Sequence, residues 1–451
     1  MTRTSRRAMT LVAATVTASL ALTACGGAGS LGGGGDTNTL NVLAINPAQM
    51  ADLQKLTDEN FTKETGIKVN YTLLPENDLR AKLNQDFSSQ AGQYDVASIS
   101  AFEIPNYSKN GWLAPLDDYV KATPEFDQGD VLPTVKSALT GPDGKLYAEP
   151  FLGEGSFTMY RKDLFDKAGL TMPENPTWDQ VADLAAKIDG TDGAKGICLR
   201  GLAGWGQNLA VLNTIVNTFG GQWYDMDWNA TLADPAFEQA TQFYVDLLRE
   251  HGEVGAAQAG VLECLNDFQQ GKSAIFYDAT SVASRLEAAD SPIKGKIGYA
   301  AAPHKLTENA GWLWTWAWGI QQASQKKDAA WKFISWASSK EYEQLVGTTL
   351  GWEKIPAGKR ASTYSIPQYM EAAAAFAPHE YRAVTNSADP KNPGIAPRPY
   401  VGVQYVGIPQ FPDLGQQVAE QVSSAIVGST SVKDALANSQ KIAQTGGDEQ
   451  N

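Results

Sequence analysis

The chain is expected to fold as an α/β protein of two lobes, each a mainly parallel sheet flanked by helices. Between Leu40 and Ser100 apolar strands alternate with amphipathic helical stripes, the pattern of a parallel sheet. A second set of strands and helices follows Gly141, and 451 residues exceed what one hydrophobic core normally holds. Apolar content of 43% and charged content of 19% supply ample core material.

The first residues read as an export signal rather than as part of the fold. Arg3, Arg6 and Arg7 precede an apolar run from Leu11 to Leu22, which ends in Leu22-Thr23-Ala24-Cys25. That run is too short, and too rich in Ala and Thr, to span a bilayer. Leu-Thr-Ala-Cys resembles the bacterial lipobox, whose cysteine becomes the lipid-bearing first residue of the mature chain. Residues 1–24 are therefore expected to be a lipoprotein signal peptide, and residues 25–38 the lipidated Cys25 with a flexible Gly-rich tether. Losing residues 1–24 removes three arginines and no acid, which takes the net charge from −14 to −17. Such an acidic surface argues against nucleic acid as a partner. Export also makes Cys198 and Cys264 a candidate disulfide, with two free buried thiols as the alternative.

Order is expected to begin with the strand LNVLA at Leu40, then a helix from Gln49 to Thr65 stopped by Gly66. A strand over Ile67–Leu73 follows, then a helix over Glu76–Gln90 with Leu79, Leu83 and Phe87 on one stripe, then a strand over Tyr94–Ser100. Ligands of parallel sheets sit beyond the carboxyl ends of the strands, so Ala44–Pro47, with Asn46, and Ser100–Glu103, with Phe102, are rim candidates. After Gly141, two short extended pieces are expected around Gly153-Glu154-Gly155, where flanking glycines would let the carboxylate approach a ligand. Helices follow from Lys162 and over Trp178–Ile188, Asn208–Phe219 and Pro235–Arg249. Strands are expected at Gly196–Arg200, Ser273–Tyr277 (ending in Asp278) and Lys296–Ala301. Then comes Gly311–Gln321, whose Trp312, Trp314, Trp316 and Trp318 alternate with Leu313, Thr315, Ala317 and Gly319, a strand with one indole face. A helix over Lys326–Ser338, a Pro- and Gly-broken loop from Pro390 to Pro412 and two terminal helices complete the chain.

Catalytic and metal motifs are missing. There is no H-E-x-x-H, no G-x-S-x-G and no CxxC pair among the 451 residues. Asp225–Asn229 begins like a calcium loop, but Ala230 stands at the required glycine and Ala236 at the required glutamate. Gly27-x-Gly29-x-x-Gly32 lies in the tether with no strand before it, and Gly271-Lys272-Ser273 lacks the first P-loop glycine. No metal and no cofactor are expected. What remains is aromatic rings beside Glu154, Arg200, Asp278 and Arg398. Carboxylates and guanidinium forks each span two vicinal hydroxyls, and indole faces stack on C–H surfaces. That set suits a neutral polyhydroxyl ligand.

Phe157–Phe165 (FTMYRKDLF) with Pro176-Thr177-Trp178, and Gly271-Lys272-Ser273-Ala274-Ile275, resemble signatures of the extracellular sugar-binding lipoproteins of ABC importers, the group of maltose-binding protein. GEGSFTMYRKDLF, GICLRG with GWGQN, NTFGGQWYDMDW and the WLW-W strand are similar to the sorbitol- and mannitol-binding members. Where those relatives commonly end the tryptophan strand with Ala-Leu, this chain has Ala317-Trp318. The resemblance implies a periplasmic-binding-protein-like fold with a ligand cleft between lobes that closes on a linear polyol, which is then handed to a membrane permease. It implies a monomer on the outer face of the cell membrane. Cleft contacts carried by motif are Phe102, Glu154, Arg200, Trp205, Asp278, Trp314 and Trp316. Asn46 and Arg398 join them from the residue reading. The lobes are expected to be 39–150 with 278–340, and 151–277 with 341–451. A cyclic mono- or disaccharide ligand is the alternative within the class, and a secreted carbohydrate-active enzyme with two cleft carboxylates the alternative outside it. Same-face residues on a strand lie roughly 6.6 Å apart, so the four rings span about 20 Å, against about 8 Å for an extended hexitol. Two rings at most, Trp314 and Trp316, are expected to touch it.

Overall fold

The computed structural model describes residues 38–45 and 48–450. The expected signal peptide, Cys25, the expected tether up to residue 37 and Asn46 lie outside the described residues. Eight strands form one sheet in the order β2-β1-β3-β8-β4-β6-β5, with β7 also paired to β4. They are β1 (Thr39–Ile45), β2 (Lys68–Leu74), β3 (Val96–Ser100), β4 (Ala148–Arg161), β5 (Lys195–Cys198), β6 (Ser273–Ala279), β7 (Ile297–Ala301) and β8 (Leu313–Ile320).

The amino-terminal unit forms as its pattern dictates. α1 (Ala48–Leu56) continues through a wider turn at Thr57–Thr62, and Gly66 ends the helical run at φ +73°, where only glycine is unstrained. α2 (Glu76–Ser89) starts at Pro75 and buries Leu79, Leu83 and Phe87, the stripe read from the sequence. α3 (Trp178–Ile188) is set by a capping box in which Thr177 accepts from the Gln180 amide and Gln180 returns the bond.

Parallel pairing is confined to the outer strands. β1 pairs parallel with β2 and β3, and β5 with β6, whereas β3–β8, β4–β8, β4–β6 and β4–β7 are antiparallel. The expectation of mainly parallel sheets therefore holds only away from the middle, because β4 and β8 enter from one half and leave into the other. Ala148–Leu152 of β4 faces the half of β8 that also pairs with β3, while Ser156–Tyr160 faces β6.

The two extended pieces expected around Glu154 are one strand of 14 residues. Its glycines serve packing rather than ligand approach. A Cβ on Gly153 would lie 2.1 Å from the Gly358 carbonyl oxygen, and one on Gly155 would lie 2.7 Å from the Cβ of Ala383. Asp278 is inside β6 rather than beyond its end.

Asp278 and Ala279 of β6 and Ile297–Ala301 of β7 pair with the far half of β4. The helices Lys327–Ala337 and Lys340–Thr349 are followed by Lys359 and Arg360, which turn back to the first half. Arg360 donates to the carbonyls of Phe126 and Asp127, and Lys359 pairs with Glu343 at 2.6 Å, both buried. Unpaired buried charges are too costly to leave, and these partners tie the segment down. No helix among the described residues is long and apolar enough to cross a membrane.

Cys198 at the end of β5 and Cys264 in the helix Val261–Gln269 are joined as a disulfide, with Cα atoms 5.6 Å apart and a sequence separation of 66. Of the two sequence readings, the bonded one is observed. On the chain-entropy model a loop of this size stabilises the fold by about 4 kcal/mol. Urea titrations with and without reductant should differ by roughly that amount; a midpoint unmoved by reduction would contradict it.

Candidate functional site

A cavity of about 680 Å³ opens where β4 and β8 pass between the two halves. β8 brings its indoles there by alternation. Trp316 lies opposite Ser100 of β3 and Leu152 of β4, and Trp314 lies opposite Glu154. Trp314 and Trp316 are the two rings expected at the ligand, and both line the cavity. Trp312 lines it as well, its backbone N–H held by the Ser156 hydroxyl at 3.1 Å. Trp318 is fully buried against Phe151 and Phe333. Three of the four β8 indoles line the cavity, and Trp205 makes a fourth ring there.

The loop after β5 supplies Arg200 and Trp205. Arg200 donates from Nε to Asp278 at 2.8 Å and from Nη2 to its other oxygen, and Nη1 donates to the Gly206 carbonyl at 2.8 Å. Burial works against the guanidinium charge, but Asp278 outweighs it and holds the group more firmly protonated than usual. Asp278 is fully buried behind Arg200 and also accepts from the Ala279 N–H at 2.6 Å. It does not line the cavity; it orients the residue that does.

Glu154 lines the cavity from β4 and accepts from the Ser281 hydroxyl. Burial pushes its carboxyl up to about 7, against the opposing pull of Ser281 and Arg200. Near neutrality it is thus partly protonated and able both to donate and to accept.

Phe102 packs against Trp205 at 4.9 Å, Tyr405 at 5.3 Å and Phe411 at 6.1 Å between ring centres. It is a clamp between the halves beside the cavity rather than part of its lining. Arg398 is elsewhere. Its guanidinium donates to Asn217 at 3.1 Å and to the Gly402 carbonyl, and lies 4.6 Å over Tyr400. Gly402 sits at φ +124°, and Arg398 satisfies the carbonyl that this turn exposes.

Lining residues not foreseen are Glu76, Ser281, Gln404, Asp52 and Lys354. Glu76 heads α2 directly after β2, so the strand-end rule applied to β1 and β3 would have found it. Gln404 sits in a loop and Lys354 ends the single helical turn Trp352–Lys354, both with no local signal in the sequence. Among the described residues, Cys198, Glu253 and Cys264 are the one cluster of metal-type ligands, and its sulfurs are engaged in the disulfide. Asp225 of the failed calcium match spends its oxygens on Asp227 and Asn229.

Residues 44–344 match the bacterial extracellular solute-binding protein family. The mannitol-binding protein of Pseudomonas aeruginosa is 39% identical over 406 residues, 89% of this chain and 92% of that protein. An ABC transporter solute-binding protein of Agrobacterium vitis, solved with bound D-mannitol, superposes with a TM-score of 0.88 at 43% identity, covering 92% of this chain and 99% of that one. A two-lobed maltose-bound MalE3 of Thermotoga maritima shares the fold at a TM-score of 0.75 and 23% identity. With its strand order, its crossing strands and its cavity between two halves, the chain belongs to the bacterial extracellular solute-binding protein family.

Proposed function

We propose that this protein captures a linear polyol, a hexitol such as mannitol or sorbitol, between its lobes and delivers it to the permease of an ABC importer without chemical change. The observation that carries the reading is the set of four indoles lining the cavity, Trp205, Trp312, Trp314 and Trp316, beside an arginine whose charge is already met. Arg200 is spent on Asp278 and Gly206, and burial pushes the Glu154 carboxyl up to about 7. Such a wall favours a ligand with many hydroxyls and no charge. The indoles offer C–H stacking surface along its carbon chain. The mannitol-binding relative and the mannitol-bound neighbour support the same ligand class.

The lobes in this reading are 39–150 with about 316–365, and 151–312 with the remainder, hinged on β4 and β8. The ligand touches both and stabilises the closed form by its differential affinity. Against a carbohydrate-active enzyme stands the family, whose similar members bind solutes. Of the carboxylates at the cavity, Glu76 holds the Arg80 guanidinium, and Asp278 is shut behind Arg200.

Calorimetry on the wild type should show D-mannitol or D-sorbitol binding about 100-fold or more tightly than glucose or maltose, with the ligand recovered unchanged. Trp314→Ala and Asp278→Asn should each weaken hexitol binding at least about ten-fold in a protein that still melts cooperatively. Preferential binding of maltose, or consumption of the ligand, would sink the reading.

The protein is further read as a monomer anchored to the outer face of the cell membrane through lipid on Cys25. Cys25→Ala should move it from the membrane fraction to the soluble one, and retention in the membrane fraction would contradict the anchor.

A further inference from the structure

We infer that Arg80 is the latch of the cleft: a first-lobe guanidinium, fixed by two carboxylates, on whose face the second-lobe ring of Trp205 docks when the lobes close. The inference rests on the reading that the lobes close on a hexitol. Arg80 projects from the first turns of α2, the helix packed on β1 and β2. It donates from Nε and Nη2 to Glu76 at 3.2 and 2.8 Å, and from Nη1 to Glu103. Glu103 is itself tied to the end of β3 by the Ser100 N–H at 2.8 Å and the Ser100 hydroxyl. All of these groups belong to the first lobe, so the guanidinium is positioned before any contact across the cleft is made.

Three of the five N–H donors of the guanidinium are engaged by these bonds, one on each nitrogen, and a face remains. The carbon at its centre lies 4.0 Å from the centre of the Trp205 ring and 5.4 and 5.3 Å from those of Trp314 and Trp316. Trp205 hangs from the loop after β5, in the other lobe, and meets Trp314 edge-on at 6.3 Å. Only a planar cation can give its edge to two carboxylates and its face to an indole at the same time. Burial opposes the charge of Arg80, and Glu103 and Glu76 more than offset that, keeping it protonated. Because the contact joins the lobes, it acts on the closed state alone, which makes Arg80 a positioning residue for Trp205 rather than a ligand contact. A Cβ on Gly206 would lie 2.4 Å from a Glu76 oxygen, so the loop carrying Trp205 seats directly on the carboxylate that holds Arg80.

A latch that forms after encounter slows ligand escape and leaves ligand entry alone. Stopped-flow tryptophan fluorescence with D-mannitol on wild type, Arg80→Lys, Trp205→Leu and the double variant separates the two rates. Arg80→Lys keeps the charge and loses the flat face. It should speed dissociation roughly ten-fold and leave association within about two-fold. In the Trp205→Leu background the same change should alter dissociation by less than about two-fold, because the partner ring is already gone. An equal effect of Arg80→Lys in both backgrounds, or a loss carried by slower association, would overturn the latch while leaving the hexitol reading intact. A wild type that binds no hexitol would overturn that reading and the latch with it.

Discussion

The site depends on one buried ion pair. Arg200 and Asp278 lie almost entirely out of water, where a lone charge of either sign would cost several kcal/mol. Each is tolerable only because the other is there with well-directed bonds. From that pair follow the surrounding choices. Gly206 turns its carbonyl to the third guanidinium direction, the Tyr244 hydroxyl donates to the Arg200 carbonyl, and Ala279 gives its N–H to Asp278. The result is a stretch of cavity wall in which the Arg200 charge is met and its polar groups are set in fixed directions.

The second constraint is geometric. β4 and β8 are the strands that belong to both halves, and they put Glu154 directly opposite Trp314. A carboxyl and an indole adjacent on paired strands are spaced by the sheet and not by flexible side chains, so the polar and stacking elements are held together through any bending of the halves. The close backbone packing at Gly153 and Gly155 fixes β4 against the segments at Gly358 and Ala383. Substituting either glycine would push on the strand that carries Glu154.

Much of this was legible in the sequence, and the reasons for the rest are specific. Periodic stripes and caps gave correct helices at Glu76–Ser89 and Trp178–Ile188, since burial on one face and a capping box are local properties. The alternating indoles read directly as a strand. β4 was split because Pro150 and two glycines look like breaks. In the fold Pro150 is absorbed at a register shift and the glycines answer to neighbours remote in sequence. Asp278 was read as a strand-end ligand because burial of a carboxylate behind an arginine leaves no mark on its own neighbourhood. Arg398 was grouped with the site on residue type alone, whereas the turn at Gly402 decides its place. The pairing of strands across the middle of the sheet is illegible in sequence for a related reason. β6 and β7 precede the crossing strand β8 in sequence but pair with β4, and pairing across such distance has no local signature.

Arg200 meets its counter-charge inside the wall, and on the proposed reading the ligand is uncharged. Competition calorimetry between D-mannitol and D-gluconate, which has the same carbon count but an acid at one end, puts this most directly. Neutral hexitol should bind about 100-fold or more tightly than the acid at pH 7.5. Gluconate binding as tightly as mannitol would mean that Arg200 is free to meet an anion, and the account would be wrong.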